Sequence, residues 1–403
     1  MPSPKVIIKL KRDKPIRNQH PWIFSGAIDK VQDANAGDVV TVVDSGNNFL
    51  ARGYYNPSSQ IRVRILSWQD EAIDDDWWEN KLRQALSARQ VQLQQVDDGK
   101  SVAFRLINAE NDYLPGLIAD YYSGWIVIQA LTLFIDHHKQ QIARMLMDML
   151  NARGVYERSD VDVRKHEGLS SETGTLIGLP PPQSIEFEHD AGFKMSVDIQ
   201  TGHKTGFYLD QQQNHVAFKE LVASRPEKVR ILNCFAYTGA FTVAALATGN
   251  AEVVSVDSSR EALELAEANI NLNGLDGNNA QLVQANCFDY LRDAELSGES
   301  FDFVILDPPK FAHNKQQVER ASRGYKDLNM HAFRLIRPGG YLMTYSCSGA
   351  ISRDLFQKIV FGALADTGKQ AQIVRHLSAN DDHPVALTFP EGEYLKGLLL
   401  RVI

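Results

Sequence analysis

The stretch Val229–Phe241, VRILNCFAYTGAF, sets the reading of this chain. It reads as a buried strand running into a tight turn at Gly239. Val253–Ser259, VVSVDSS, is a second apolar strand, closing on the acid Asp257. Phe301–Phe311, FDFVILDPPKF, repeats the form, with Asp307 followed by two prolines. Strand, loop, helix and strand-with-acid is the layout of a doubly wound sheet that holds a nucleotide-type cofactor. The loop is not GxGxxG and no dinucleotide signature follows the acid.

Composition sets the outer bounds. At 403 residues the chain is too long for one core, so two or three domains are expected. Hydrophobic residues at 44% and charged residues at 23% fit an ordinary soluble globular protein rather than a disordered or membrane one. No apolar run approaches the length of a bilayer, so no membrane association is expected. The opening MPSPKVIIKLKRDK has no apolar core or cleavage site of a secretion signal. Cys234, Cys287 and Cys347 lie far apart with no CxxC pair, which argues against a disulfide framework and against zinc. A reducing cytoplasm and no metal are the expectations.

The net charge of −8 hides an asymmetry. Residues 1–68 hold ten Lys/Arg and five Asp, a net of +5, which leaves −13 for the rest. A basic module on an acidic body is a way to hold phosphates locally, although a merely solvated basic face has the same composition.

Along the chain, residues 1–72 read as short strands between turns: VIIKLK, GDVVTVVD, NFLARGYY and IRVRIL. They imply a small all-β barrel. Residues 73–184 read as an α+β middle domain. It opens with a helix over Asp74–Gln95, with Trp78, Leu82, Leu86 and Leu93 on one stripe. Strands follow in Phe104–Tyr122 and Gly124–Leu131, then a helix over Asp136–Arg153 and a polar, glycine-containing stretch ending in LPPPQ at Leu179–Gln183. Residues 185–403 form the third domain, α/β and doubly wound. Ser258 and Glu261 have capping-box spacing for the helix after the second strand, which turns Leu263, Ala266 and Ile270 inward.

These strings resemble a known family. Asn233–Ala240, Asp257 and the DPPKF strand resemble the class I S-adenosylmethionine-dependent methyltransferases, and YSCSG at Tyr345–Gly349 narrows the resemblance to RNA methyltransferases. HPWIF at His20–Phe24, the Gly37-Asp38 turn and ARGYYNP at Ala51–Pro57 resemble a PUA domain, an RNA-binding barrel. With TGHKTGFYLDQQ (Thr201–Gln212), RGYKDLN (Arg323–Asn329) and FPEGEYLKGLLL (Phe389–Leu400), the whole length resembles the RlmI-like family of bacterial 23S rRNA cytosine-C5 methyltransferases. The resemblance implies a C-terminal Rossmann-like methyltransferase domain, S-adenosylmethionine as cofactor and 23S ribosomal RNA as partner. A homodimer is compatible with it.

The resemblance also names site residues. Phe235, Tyr237, Thr238 and Gly239 lie beneath the methionine part of the cofactor. Asp257 and Ser258 meet the ribose, and a carboxylate there can accept both hydroxyl protons. Asn286 and Cys287 lie beside the adenine; many relatives have Asp at the position of Asn286. Asp307 closes the pocket, and Thr205, Phe207 and Asp210 run across it. Pro308, Pro309 and Lys310, with Arg52, Arg62 and Arg64 of the barrel, face the RNA.

The chemistry gives those residues a reason. Cytosine C5 is a poor nucleophile until a thiolate adds at C6 and breaks aromaticity. Such an enzyme needs a cysteine, an acid near N3 or the exocyclic amine, and a base for the C5 proton. Cys347 sits after the run GGYLMTYS and before a glycine, where a sulfur stays accessible, and Asp307 is the matching acid. Cys234 and Cys287 read as buried small hydrophobes. Some RNA cytosine-C5 enzymes carry a second cysteine at the place of Pro309, so product release here uses no second thiol. Two other readings stay open. DPP with an aromatic two positions on also resembles amino-group methyltransferases acting on adenine N6 or guanine N2, which need no nucleophile. An RNA-binding protein that has lost catalysis is the other.

Overall fold

The computed structural model describes residues 4–403; residues 1–3, at the start of the segment read as a barrel and as lacking a secretion signal, lie outside the described residues. The chain forms two compact units. One holds Met1–Phe187, Val197–Leu209 and Asp381–Gly392, and the other Glu188–Ser196, Asp210–Asn380 and Glu393–Ile403.

The first unit opens with β1 (Lys5–Ile8), a short helix α1 (Lys14–Arg17), β2 (Trp22–Phe24), β3 (Ile28–Gln32), β4 (Val39–Val43), β5 (Phe49–Tyr55) and β6 (Ile61–Ser67). They make one six-stranded sheet in the order β2-β6-β5-β4-β1-β3. Alternation turns Val6, Ile8, Val40, Val42, Val63 and Ile65 into a common core. Gly53 is required where β5 meets β6, because a Cβ there would stand 2.6 Å from the Arg64 carbonyl oxygen.

The same unit continues with helices α2 (Asp75–Ser87) and α3 (Gln90–Asp97). The single helix expected over Asp74–Gln95 is therefore broken, and Arg89 is the reason. Its guanidinium is fully buried. It donates to both oxygens of Asp112 at 2.8 and 2.7 Å and to the carbonyls of Ala85, Arg105 and Asp382. Placing the fork there takes Arg89 out of helical geometry, with φ −116° and ψ 29°. The Asp74 carboxylate caps α2 by accepting from the Trp77 N–H at 3.0 Å.

A second, five-stranded sheet runs β11-β10-β9-β8-β7. Its strands are β7 (Ala103–Asn108), β8 (Leu117–Tyr122), β9 (Trp125–Ala130), β10 (Gly154–Ser159) and β11 (Glu172–Gly178). Helix α4, expected over Asp136–Arg153, runs Leu133–Leu150 and stops at Asn151, which is left-handed at φ 47°. The polar stretch before LPPPQ is not loop: it supplies β10 and β11. Polarity hid β10 because its Glu157, Arg158 and Ser159 are buried with partners rather than replaced by apolar residues. The chain passes between the units within two short strands, β12 (Ile185–Glu188) and β13 (Lys194–Val197).

The second unit carries α5 (Gln212–Ala223), β14 (Val229–Cys234), α6 (Ala240–Leu246), β15 (Ala251–Asp257), α7 (Arg260–Leu272), β16 (Ala280–Gln284), α8 (Cys287–Leu296), β17 (Phe301–Leu306), α9 (Val318–Leu335), β18 (Ile336–Ser346), α10 (Arg353–Ala365), β19 (Ala371–Ser378) and β20 (Lys396–Val402). The seven-stranded sheet has the order β16-β15-β14-β17-β18-β20-β19. β14 to β18 are parallel, and β20 is antiparallel to both its neighbours. The order turns back between β14 and β17, and in open sheets of this kind ligands bind outside the carboxyl ends of the strands at that switch point. The continuous apolar runs of β14, β15 and β17 follow from burial on both faces. Leu263, Ala266 and Ile270 of α7 are buried as expected, but its cap is Ser259, not Ser258. Ser259 Oγ accepts from the Ala262 N–H at 3.1 Å, while Ser258 is exposed one residue too early for that bond.

Candidate active site

The site of the second unit is built on the loop after β14. Phe235, Tyr237 and Gly239 all have positive φ, at 61°, 48° and 80°. Left-handed backbone at two non-glycine residues costs on the order of 1 kcal/mol or more each and needs support. The loop's N–H groups supply it. Phe235 N–H donates to Cys287 Sγ at 3.2 Å, Ala236 N–H to the Val256 carbonyl at 3.1 Å, and Tyr237 N–H to Asp257 Oδ2 at 2.9 Å. Gly239 is required on two counts: its φ, and a Cβ that would stand 2.8 Å from the Ala266 Cβ. The loop is thus tied to the end of β15 and the start of α8, and leads into α6.

Asp257 ends β15 half-buried. Its Oδ1 also accepts from the Ser259 N–H at 2.9 Å. A carboxylate has about four acceptor positions, so room remains for two vicinal hydroxyls. Thr238 has a buried hydroxyl without a partner, in the same loop. Asn286 is exposed and caps α8, its Oδ1 accepting from the Phe288 N–H at 2.9 Å. Cys287 is buried and its sulfur is occupied by the Phe235 N–H and the Val256 carbonyl. Its side chain holds the loop rather than facing a ligand. Burial and the neighbouring Cys287 push the Cys234 thiol well above the ordinary range, as suits an inert core sulfur.

Asp307 follows β17 and is half-buried; its Oδ2 accepts from Gln211 Nε2 at 2.9 Å. Gln211 is itself fixed, accepting from Asn214 Nδ2 at 2.6 Å. Asp210 is buried, with its Oδ2 accepting from the Tyr394 hydroxyl at 2.6 Å. Cys347 follows β18, half-buried, and its S–H donates to the Pro308 carbonyl at 3.9 Å. The cysteine motif and the DPP motif thus meet, with Pro308 buried and Pro309 and Lys310 exposed. Two serines flank the sulfur. Tyr325 Oη lies 3.0 Å from Ser346 Oγ and 3.1 Å from Ser348 Oγ, and the Ala312 N–H donates to Ser348 Oγ at 3.1 Å. Tyr325, Gln211 and Lys396 are the residues that sequence reasoning missed. Tyr325 and Lys396 lay inside strings whose roles were not read.

Other expected site residues belong to the first unit. Thr205 and Phe207 belong to the first unit, where both are buried. Thr205 donates to Asp120 Oδ2 at 2.6 Å and Phe207 packs edge-on to Phe187. In the barrel, Arg52 bonds Thr41 and Asp70, Arg62 is half-buried, and Arg64 is buried against Glu167 at 2.8 Å. Arg64 is therefore not offered to phosphate: alternation on β6 puts it on the face opposite Val63 and Ile65, where it is buried against Glu167 and near Glu110. Lys9, Lys11 and Arg12, between β1 and α1, and Lys14, which opens α1, are exposed. Asp136, Glu157 and Glu172 converge as three carboxylates, but the Lys139 ammonium bonds all three.

Comparison with known proteins bears on this arrangement. Residues 6–68 match a PUA-like domain, and residues 114–384 match an S-adenosylmethionine-dependent methyltransferase family. Ribosomal RNA large subunit methyltransferase I of Tolumonas auensis is 45% identical over 403 residues, spanning 100% of both chains. The protein of that name from Klebsiella pneumoniae is 43% identical, spanning 99% of this chain and 98% of its own. Among solved structures, SMU.776 complexed with SAH superposes with TM-score 0.84 at 22% identity, over 99% of this chain and 100% of its own, a likeness of fold. The cofactor of this family fits the residues present: a left-handed glycine loop, an acid with spare acceptors, and a buried hydroxyl without a partner among the described residues. Among the described residues, no helix is long and apolar enough to cross a membrane.

Proposed function

The chain belongs to the ribosomal RNA large subunit methyltransferase I family of S-adenosylmethionine-dependent methyltransferases, and on that premise we propose that it methylates C5 of a cytosine in 23S ribosomal RNA through a covalent cysteine adduct. The observation that carries the reading is the meeting of Cys347 with the Asp307-Pro308 turn, one strand over from the cofactor loop.

S-adenosylmethionine, when bound, supplies an electrophilic methyl group. Phe235 to Gly239 would cradle it, Asp257 would take its ribose hydroxyls, and the backbone near Asn286 would border its adenine. The chain's own residues prepare the base. The target cytosine leaves its stack at a cost of a few kcal/mol. The Cys347 thiolate adds to C6, and the electron pair moves toward C5. Asp307, steadied by Gln211, holds a proton at N3 or the exocyclic amine. Once C5 is methylated, a base removes its proton, the C6–S bond breaks, and the thiolate returns.

Residues 1–72 act as an RNA-docking barrel, 73–184 as a middle domain and 185–403 as the catalytic domain, in the cytoplasm. The exposed Lys9–Lys14 run, with Arg52, Arg62 and Lys310, supplies phosphate contacts. The amino-methylating alternative needs an aromatic ring free to stack on the base. Phe311 is instead packed on Tyr325, with ring centres 4.7 Å apart, and beside Phe288.

The adduct can be trapped. RNA carrying 5-fluorocytidine blocks removal of the C5 substituent, so a covalent enzyme–RNA band survives denaturation. The band is expected with wild type and cofactor and absent in Cys347→Ser; a mutant that still forms it removes Cys347 from the mechanism.

A further inference from the structure

We propose that Lys396 is a positioning residue for Cys347: its buried ammonium clamps the turn that carries the cysteine and favours the thiolate over the thiol. The inference rests on the reading of Cys347 as nucleophile.

Lys396 opens β20 and stands directly across from Ser346, the residue before the cysteine. Its residue is only 2% exposed. Burying an ammonium costs several kcal/mol unless its protons find acceptors. Two do: Nζ donates to the Ser348 carbonyl at 2.8 Å and to the Ile351 carbonyl at 2.5 Å. Both carbonyls belong to the turn that follows Cys347. No carboxylate is within ion-pair distance of Nζ among the described residues, so neutral dipoles alone receive this charge. The Tyr325 hydroxyl fixes the same turn from its other side through Ser346 and Ser348.

The charges around Lys396 act in both directions. Burial lowers its pKa to about 8, a negative Cys347 and Glu393 act to raise it, and Arg353 and Lys310 act to lower it. Attraction between two groups is mutual, so the same field that a thiolate exerts on the ammonium favours the thiolate. Tyr325 also senses Cys347; burial raises its pKa, so it stays a neutral hydrogen-bonding bridge at neutral pH. A carbonyl clamp alone needs only a neutral donor. The charge is what the purely structural role leaves unexplained.

The test reads thiolate directly and needs neither cofactor nor RNA. Full-length protein is alkylated with iodoacetamide across pH, and the Cys347 peptide is followed by mass spectrometry, with buried Cys234 and Cys287 as internal controls. In wild type the rate should rise with a midpoint below the ordinary cysteine value of about 8.5. In Lys396→Gln it should fall about tenfold at pH 7, and Lys396→Arg should keep the wild-type profile. A folded Lys396→Gln with the wild-type profile overturns the proposal. So does a wild-type midpoint at or above about 8.5, a result that needs no variant to fold. If Cys347→Ser still makes 5-methylcytidine, the nucleophile reading fails separately, whatever the alkylation profile shows.

Discussion

The backbone N–H of Tyr237 donates to Asp257 Oδ2 at 2.9 Å, so the acid that ends β15 also holds the loop that ends β14. One carboxylate thereby fixes the loop's left-handed geometry and presents its remaining acceptors to the crevice. Asp257→Ala removes both functions. S-adenosylmethionine binding should weaken roughly tenfold to a hundredfold, the scale of hydrogen bonds to a charged group. Calorimetry checks this; unchanged affinity would place the ribose elsewhere.

Gly239→Ala should destabilise the protein by about 1–3 kcal/mol, from backbone strain and crowding against Ala266. Urea unfolding measures it, and Ala266→Gly in the same background should recover the crowding part alone.

Acid should weaken the second unit through a buried histidine pair. His189 Nε2 and His215 Nδ1 are 2.9 Å apart, and burial holds both below the usual histidine range, His215 at about 3. Because the folded values lie below the unfolded one of about 6.5, the unfolded chain takes up more protons as pH falls. The neutral pair's contribution is therefore complete above about 6.5 and lost as pH drops toward about 3. Unfolding midpoints across that window should fall more steeply in wild type than in His189→Gln/His215→Gln.

The barrel's basic residues should divide into two kinds. Replacing Lys11, Arg12 and Lys14 by alanine should weaken RNA binding and lower the log–log salt slope by about three. Arg64→Ala should instead destabilise by about 3–5 kcal/mol, because it leaves the Glu167 carboxylate buried without its cationic partner. Filter binding across salt, beside thermal melts, separates the two.

The parallel strands were legible because burial on both faces forces apolar runs, and Asp257, Asp307 and Gly239 stand at their ends where chain order alone places them. Other features depend on long-range pairing. The break at Arg89 needs Asp112 and the Asp382 carbonyl, and β10 is buried only because its charges meet partners from distant segments. The same holds at the site. Gln211 finds Asp307 across nearly a hundred positions, and Lys396 reaches the cysteine turn only through the register of β20 on β18. Arg64 shows the opposite error: a basic residue in a basic module, on the face away from the barrel core, that is nevertheless buried because Glu167 lies against it.

The central claim is that Cys347 makes the bond to cytosine. Nucleoside mass spectrometry of ribosomal RNA, incubated with labelled S-adenosylmethionine and enzyme, tests it most directly. Label should appear in 5-methylcytidine with wild type and vanish with Cys347→Ser. Label in methylated adenosine or guanosine, unchanged by the mutation, would contradict the account and move the protein to the amino-methylating class.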